Sequence, residues 1–161
     1  IIQSIILVVI GFVFVFRIVN ISGNSMYSTL HDGDKVVIFT WNYRPHAGDV
    51  VVIKRGQYLN EPLIKRVIAT ENQSLSIDFA TGAVIVDGKK IDEYYIWEPM
   101  RLQGDNDIPD VIPEGYCFVM GDNRNHSRDS RFKDVGLIPN ENITGKAKFI
   151  IYPFGRIGVI N

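Results

Sequence analysis

Two side chains in this sequence could carry chemistry: Ser25 in the turn-like stretch ISGNSMYSTLHDGD and Lys65 in the apolar run PLIKRVIAT. A serine hydroxyl becomes a useful nucleophile when a base takes its proton and hydrogen-bond donors hold the oxyanion that develops. Strand alternation would place Leu63, Lys65 and Val67 on one face of a sheet. Apolar surroundings lower the pKa of a lysine, so Lys65 could be that base.

Both residues also have plain structural interpretations. Most turns rich in glycine and serine are only turns, and a lysine in a strand often reaches past a sheet edge to solvent. The histidines, His31, His46 and His126, lie beside turn signals or in a polar loop, without an acidic partner at a telling spacing. The sequence leaves a Ser-His-Asp triad open but favours solvent-exposed histidines.

A third polar stretch, MGDNRNHSRDSR, follows the apolar segment GYCFV. It has more charged residues and serines than a solvated turn requires, and such loops on a rigid sheet commonly organise functional sites. A charged hairpin tip is the alternative interpretation. No Cys/His cluster in the sequence has the spacing of metal ligands, so we expect no metal and no cofactor.

Short alternating segments predict that the chain beyond residue 20 is an all-β domain with little helix. Seven runs of strand length are bounded by Gly, Asp, Asn or Pro: DKVVIFTW, GDVVVIKR, PLIKRVIAT, QSLSIDFA, GAVIVDGKKI, GYCFVMGD and GKAKFIIYP. The stretch SIDFATGAVIVDGKKI predicts linked hairpins, and the proline-containing residues 92–115 predict a long irregular connection. We therefore expect a domain over 20–161 with a small cap at about 71–113.

Residues 1–19 are apolar apart from a few positions and show no polar stripe at helical spacing. This pattern favours a transmembrane anchor over a buried helix. The first sixteen residues would span about 24 Å as a helix, short of the roughly 30 Å hydrocarbon core, so we expect the end of a longer, truncated spanning segment. No small-residue cleavage site follows, which disfavours a removed secretory signal.

Composition excludes one class of partner. The chain of 161 residues has a formal net charge of −1 with scattered basic residues, whereas a nucleic-acid surface needs a Lys/Arg stripe. We therefore predict no nucleic-acid partner. The single cysteine, Cys117, lies in an apolar alternating run, which predicts a buried strand residue and not a reactive thiol.

Taken together, SGNSMYSTL, GDVVVIK, LIKRVIA and GDNRNHSRDSR, in this order behind an apolar N-terminus, resemble the type I signal peptidases, the membrane-bound leader peptidases of bacterial secretion. The resemblance covers nearly the whole chain, and its compact middle is similar to the smaller, Gram-positive-type members. It implies an all-β catalytic domain of coiled, mostly antiparallel sheets behind an N-terminal transmembrane helix. It also implies a single-pass protein of the cell membrane with its catalytic domain on the extracytoplasmic face.

The resemblance implies roles for residues near the nucleophile. Ser25 matches the family's nucleophile and Lys65 its general base. The Ser25 backbone N–H would form one side of the oxyanion hole, and Gly23 stands where some members place a second donor. Ser28 departs from the pattern, because members usually carry proline there, and without that proline we expect a looser turn behind the nucleophile.

The polar loop matches a supporting motif of the same family. By resemblance, the Ser127 hydroxyl orients the lysine amine, and Asp129 and Arg131 form an ion pair beneath the site. Asp122 and Arg124 belong to the same motif, and we assign them a supporting role at the site. The residues implied for the substrate pockets are Met26, Leu30, Val36 and Ile64.

The implied activity is that of a serine endopeptidase that removes signal peptides from secreted preproteins, cutting after small-X-small sites at the outer membrane surface. Its implied partners are signal peptides of secreted preproteins, membrane lipid and the secretion translocon. Two alternatives stay open. A self-cleaving repressor-type serine-lysine peptidase is disfavoured by the anchor, and a catalytically silent membrane-anchored assembly or binding factor of the same fold is given room by Ser28 alone.

Overall fold

The computed structural model describes residues 15–54 and 62–161. These residues form strands and two short 3-10 helices, Asn140–Asn142 and Phe154–Arg156. The strands are β1 (Phe16–Asn20), β2 (Lys35–Phe39), β3 (Val50–Ile53), β4 (Leu63–Thr70), β5 (Leu75–Asp78), β6 (Ala83–Val86), β7 (Lys89–Lys90), β8 (Tyr116–Met120), β9 (Ile138–Pro139), β10 (Ile143–Tyr152) and β11 (Gly158–Val159). Each of the seven predicted runs contains a strand, which confirms the all-β prediction.

The larger sheet is antiparallel and has the order β1-β2-β10-β3-β4-β8-β9, with β11 paired to β10. Strand β10 lies between β2 and β3 and shifts register against both, and such irregularities bend and twist a sheet. At Gly145 a Cβ atom would collide with the carbonyl oxygen of Phe39, so a glycine is needed where the two backbones approach. The curled sheet brings the turn before β2 near β4.

The smaller sheet, β5-β6-β7, is the pair of linked hairpins that the sequence predicts. It lies within the predicted cap at about 71–113. The connection over residues 92–115 is irregular, as predicted, apart from an isolated bridge between Ser74 and Val111. A shared hydrophobic cluster joins the two sheets, with Val84 and Val86 from the smaller sheet packed with Phe118 and Met120 from β8.

The predicted anchor over residues 1–19 lies mostly outside the described residues, but its end corrects the prediction. Phe16–Asn20 is strand β1 and not helix, and it pairs residue by residue with β2 from Phe16↔Phe39 to Asn20↔Lys35. The β-branched Ile18 and Val19 suit a strand, and pairing with β2 satisfies the backbone N–H and C=O groups of this segment. The apolar pattern of the sequence did not reveal this pairing. Within residues 15–54 and 62–161, no helix has the length and apolar character to cross a membrane.

Cys117 is fully buried in β8, as predicted, and packs in a cluster with Val51, Val67 and Val119. Burial raises the pKa of its thiol to about 12, so the thiolate is suppressed. Because β8 is largely buried and paired with strands on both sides, it fixes the start of the polar loop that follows it.

We expect Phe118→Ala to lower the free energy of unfolding by about 3–5 kcal/mol, because the ring is fully buried between the two sheets and its removal leaves a cavity. Phe154→Ala is the matched control: its side chain is 81% exposed, and we expect a loss below about 1 kcal/mol. Urea denaturation of both variants measures the difference. Equal losses would contradict this description of the core.

Candidate active site

Ser25 lies in the turn between β1 and β2. The ends of this turn are joined by backbone hydrogen bonds, Ile21 N–H to the Asp34 carbonyl at 2.8 Å and Gly33 N–H to the Ile21 carbonyl at 2.9 Å. The Gly23 N–H donates to the Asp32 carboxylate at 2.7 Å, so in this structure Gly23 shapes the turn. The serine side chain is half-buried and faces the start of β4.

Lys65 in β4 reaches this serine. Its Nζ donates to Ser25 Oγ at 2.8 Å and to the Ile64 carbonyl at 2.9 Å. The residue is 3% exposed, and this burial, partly opposed by the negative charges of Asp129 and Asp122, lowers its pKa to about 8. A neutral amine, present at slightly alkaline pH, could accept the serine proton across the same 2.8 Å.

The polar loop after β8 closes over the same turn. Asn123 donates from its backbone N–H to the Ser25 carbonyl at 3.0 Å and from Nδ2 to the Asn24 carbonyl at 3.0 Å. At Gly121, a Cβ atom would collide with the Ser127 hydroxyl and the Ser25 carbonyl oxygen. The loop and the turn are therefore packed at backbone contact, and only glycine fits between them.

The Ser127 hydroxyl is buried, and among the described residues it has no hydrogen-bond partner. The predicted hydrogen bond from Ser127 to the Lys65 amine is therefore not formed in this structure, although Ser127 packs against Gly121 beside the site. Its assignment as the residue that orients the amine stays a prediction. Sequence alone cannot fix a hydroxyl direction that depends on local packing.

The predicted pair beneath the site, Asp129 and Arg131, is present and fully buried. Arg131 donates to both carboxylate oxygens, at 2.8 and 2.9 Å, while the second oxygen also accepts the Gly121 N–H at 2.9 Å. Arg131 also donates to the carbonyls of Leu102 and Arg124. A buried ion pair needs such additional hydrogen bonds to offset its desolvation.

Asp122 has a partner that the sequence reasoning missed. Arg66, next to Lys65 in β4, donates to both Asp122 oxygens at 2.9 and 2.8 Å, and its guanidinium lies 4.0 Å from the Tyr95 ring centroid. Asp122 also accepts the Thr29 hydroxyl at 2.5 Å. The signal that could have found this pair is an arginine, beside Lys65, in the middle of an otherwise largely apolar strand, because a buried guanidinium requires a carboxylate.

Arg124, the other predicted supporting residue, is fully buried and donates from Nε to the Gly121 carbonyl at 3.1 Å. Its Nη2 lies 2.5 Å from Glu93 Oε1, although the two groups are poorly aligned for a hydrogen bond. Arg124 therefore ties the loop to the connection that precedes β8.

A cleft of about 310 Å³ opens beside Ser25 and Lys65. The end of β1 and the start of β4 line opposite parts of it, and its lining residues are Val19, Asn20, Ile21, Ser22, Ser25, Val52, Pro62, Leu63, Ile64 and Lys65. Of the four predicted pocket residues, Ile64 lines the cleft. Met26, Leu30 and Val36 do not line it and lie in the buried cluster that includes Ile21 and Val52, so their role in substrate binding stays a prediction.

The three histidines do not line this cleft. His31 stacks on Tyr27 with ring centroids 4.8 Å apart, while His46 and His126 are exposed. The exposed-histidine interpretation is confirmed for the latter two. The arrangement at Ser25 is thus a hydroxyl paired with an amine, which can perform nucleophilic acyl transfer.

Comparisons with known proteins point to one family. Residues 1–152 match a protein-family model described as signal peptidase, peptidase S26. The chain is 38% identical over 149 residues to a probable signal peptidase I-1 of Synechocystis sp.. The aligned region covers 86% of this chain and 72% of the relative. It is 34% identical over 168 residues to a signal peptidase I of Bacillus licheniformis, covering 98% and 88%. A crystal structure of a signal peptidase I from Enterococcus faecalis has a similar fold, with a TM-score of 0.52, 21% identity and coverage of 65% of this chain and 97% of that one.

Gly121→Ala should displace the loop from the turn that carries Ser25, because the added methyl group meets backbone and a packed hydroxyl. We expect a loss of about 1–3 kcal/mol in the free energy of unfolding, as for other overpacked sites. Gly155→Ala is the control, since a Cβ there meets nothing within 4 Å. Thermal unfolding of both variants distinguishes them, and an unchanged midpoint for Gly121→Ala would refute the tight contact.

The buried Lys65 should make stability depend on pH with a defined sign. Its folded-state pKa of about 8 lies below the ordinary 10.5, so between these values the unfolded chain binds a proton that the folded protein does not, and stability rises with pH. This interval corresponds to about 3 kcal/mol, an order-of-magnitude value. We expect the stability difference, wild type minus Lys65→Met, to rise by this amount between about pH 7.5 and 10.5. A flat difference would show that the amine titrates normally.

Proposed function

Since the chain belongs to the signal peptidase family of serine peptidases, peptidase S26, we propose that it cleaves signal peptides with Ser25 as nucleophile and Lys65 as general base. The observation that carries this proposal is the 2.8 Å contact between Lys65 Nζ and Ser25 Oγ in a buried setting. Burial that lowers the pKa of the amine to about 8 leaves a usable fraction in the neutral, proton-accepting form.

The reaction proceeds in two halves. Neutral Lys65 takes the hydroxyl proton as Ser25 Oγ bonds to the scissile carbonyl carbon, and the carbonyl oxygen becomes an oxyanion facing the Ser25 N–H. The bond to the leaving nitrogen then breaks as the Lys65 ammonium gives that nitrogen its proton. Water, deprotonated by the same amine, attacks the acyl-enzyme and releases the cleaved signal peptide while Ser25 regains its proton.

The substrate lies extended in the cleft beside β1. This strand ends the order of the larger sheet, so one of its edges has no strand partner among the described residues, and an extended peptide can add to such an edge. The apolar side chains of Val19, Ile21, Val52 and Ile64 line this cleft, whose volume is about 310 Å³. An apolar lining can accept small apolar side chains, and the preference for small-X-small sites is the one that the family resemblance implies.

We infer that the site lies at the outer surface of the cell membrane. Ser25 follows Phe16 by nine residues, a reach of at most about 30 Å, and Phe16 directly follows the apolar N-terminal residues that we assign to a transmembrane anchor. Trp41 is 63% exposed and can enter a lipid surface, whereas the Tyr43 hydroxyl is held by Asp49 at 2.6 Å. Membrane lipid and the secretion translocon that delivers preproteins are the expected neighbours.

The proposal predicts Ser25-dependent and Lys65-dependent cleavage of a model preprotein with a small-X-small site, assayed in lipid or detergent. Wild type should cut at that site at a rate that rises through about pH 8, as Lys65 loses its proton. Ser25→Ala and Lys65→Ala should both abolish the cleavage, because each removes one half of the pair. Lys54→Ala, which alters an exposed lysine at the end of β3, is the matched control and should retain the wild-type rate.

Two outcomes would contradict the proposal. Cleavage that survives Lys65→Ala would remove the amine from the mechanism. Absence of cleavage by the wild type in lipid would favour the catalytically silent assembly factor, and Ser28→Pro would then test whether the residue at this position causes the loss.

A further inference from the structure

Asn123 holds the peptide units on both sides of the nucleophile. Its backbone N–H donates to the Ser25 carbonyl, and its side-chain Nδ2 donates to the Asn24 carbonyl, both at 3.0 Å. The Asn24 carbonyl and the Ser25 N–H belong to one peptide unit. Because a trans peptide is planar, these two groups point in opposite directions, so a bond that fixes the carbonyl also fixes the N–H.

The Ser25 N–H is available for a ligand. Among the described residues it donates to no acceptor. The Asn24 carbonyl also accepts the Tyr27 N–H at 3.1 Å, but that bond lies inside the turn and moves with it. The bond from Asn123 is different, because it ties the peptide unit to the loop that β8 and the buried ion pairs hold in place.

The side-chain amide of Asn123 has an orientation that its bond to Asn24 explains. The residue is 8% exposed, and its Oδ1 is buried without a hydrogen-bond donor among the described residues. A buried acceptor without a protein donor is unfavourable. Turning the amide over would set Oδ1 against the Asn24 carbonyl, two acceptors face to face, so the bond to Asn24 determines its orientation.

We propose that Asn123 is a positioning residue for the oxyanion hole, which aims and polarises the Ser25 N–H through the Asn24 carbonyl. An amide whose carbonyl accepts a hydrogen bond is the better donor at its N–H. The inference rests on the proposed function, in which that N–H receives the developing negative charge. Asn123 itself does not touch the reacting atoms.

The test compares kcat and KM of the full chain, in detergent, for Asn123→Ala and Asn123→Asp. Complete loss of one oxyanion donor costs about 100- to 1,000-fold in kcat, so we expect a misaimed donor in Asn123→Ala to cost about 10- to 100-fold. KM and the pH midpoint set by Lys65 should stay near the wild-type values. Asn123→Asp is nearly isosteric but should lose more, because its carboxylate faces the Asn24 carbonyl and adds negative charge near the oxyanion.

Asn125→Ala is the matched control from the same loop. Its side chain accepts from the Arg101 and Leu102 N–H groups at 2.7 and 3.1 Å and donates to Glu98 at 2.8 Å, with no hydrogen bond to the Ser25 turn. We expect this variant to lose stability and keep its kcat. Thermal unfolding of all variants separates damage to the fold from damage to the donor.

A second measurement is independent of turnover. The 15N shift of the Ser25 amide reports the hydrogen bonding of its own peptide unit, so it should move in Asn123→Ala and stay in Asn125→Ala. The inference alone is overturned if the wild type cleaves and Asn123→Ala keeps kcat within about twofold, if Asn125→Ala loses as much, or if the 15N shift does not move. A wild type without Ser25-dependent cleavage overturns the proposed function and this inference together.

Discussion

The site depends on one constraint: an ammonium-bearing side chain must be buried without keeping its charge. Lys65 lies in β4 with neighbouring strands on both sides, and the removal of water there disfavours the protonated amine. Two carboxylates nearby, Asp122 and Asp129, act in the opposite direction. Burial prevails because each carboxylate already has a closer cation.

The buried arginines provide those cations. Arg66 binds Asp122 through two hydrogen bonds, and Arg131 binds Asp129 in the same way. Each pair is fully buried, and each guanidinium lies 2.8 Å from its carboxylate. Because the guanidinium offsets the negative charge at this short range, the carboxylate stabilises a charged Lys65 less. The polar loop after β8 thus supports the turn of Ser25. The negative charges of its two carboxylates, Asp122 and Asp129, are neutralised by the paired arginines.

Much of this could be predicted from the sequence, because alternation and turn residues are local signals. The strands, the linked hairpins and the burial of Cys117 follow from the residues that form them. The pairing of Asp129 with Arg131 came from a motif in which the two residues are close in sequence. By contrast, the Arg66–Asp122 pair joins residues 56 positions apart, and Asn123 meets a turn about 100 residues earlier. An arginine in a largely apolar strand indicates that a buried carboxylate partner exists, but no local pattern identifies which distant residue supplies it.

The misplaced end of the predicted anchor has the same origin. A short, largely apolar segment is compatible with a helix in lipid and with a strand in a sheet. Phe16–Asn20 is a strand because it pairs with β2, which is distant in sequence. The cleft illustrates the point for side chains, because Met26, Leu30 and Val36 are as apolar as Val19 and Val52. Depth below the surface, which only the fold sets, separates the two groups.

The position of β10 in the larger sheet has a consequence for the order in which the site forms during synthesis. It is formed by residues 143–152, which follow Ser25 and Lys65 by many residues, yet it lies between β2, which follows the turn of Ser25, and β3, which pairs with the strand of Lys65. On a ribosome the two halves of the site emerge long before the strand that joins them. The sheet can therefore hold nucleophile and base together only after residues 143–152 have been synthesised and β10 has paired with both β2 and β3.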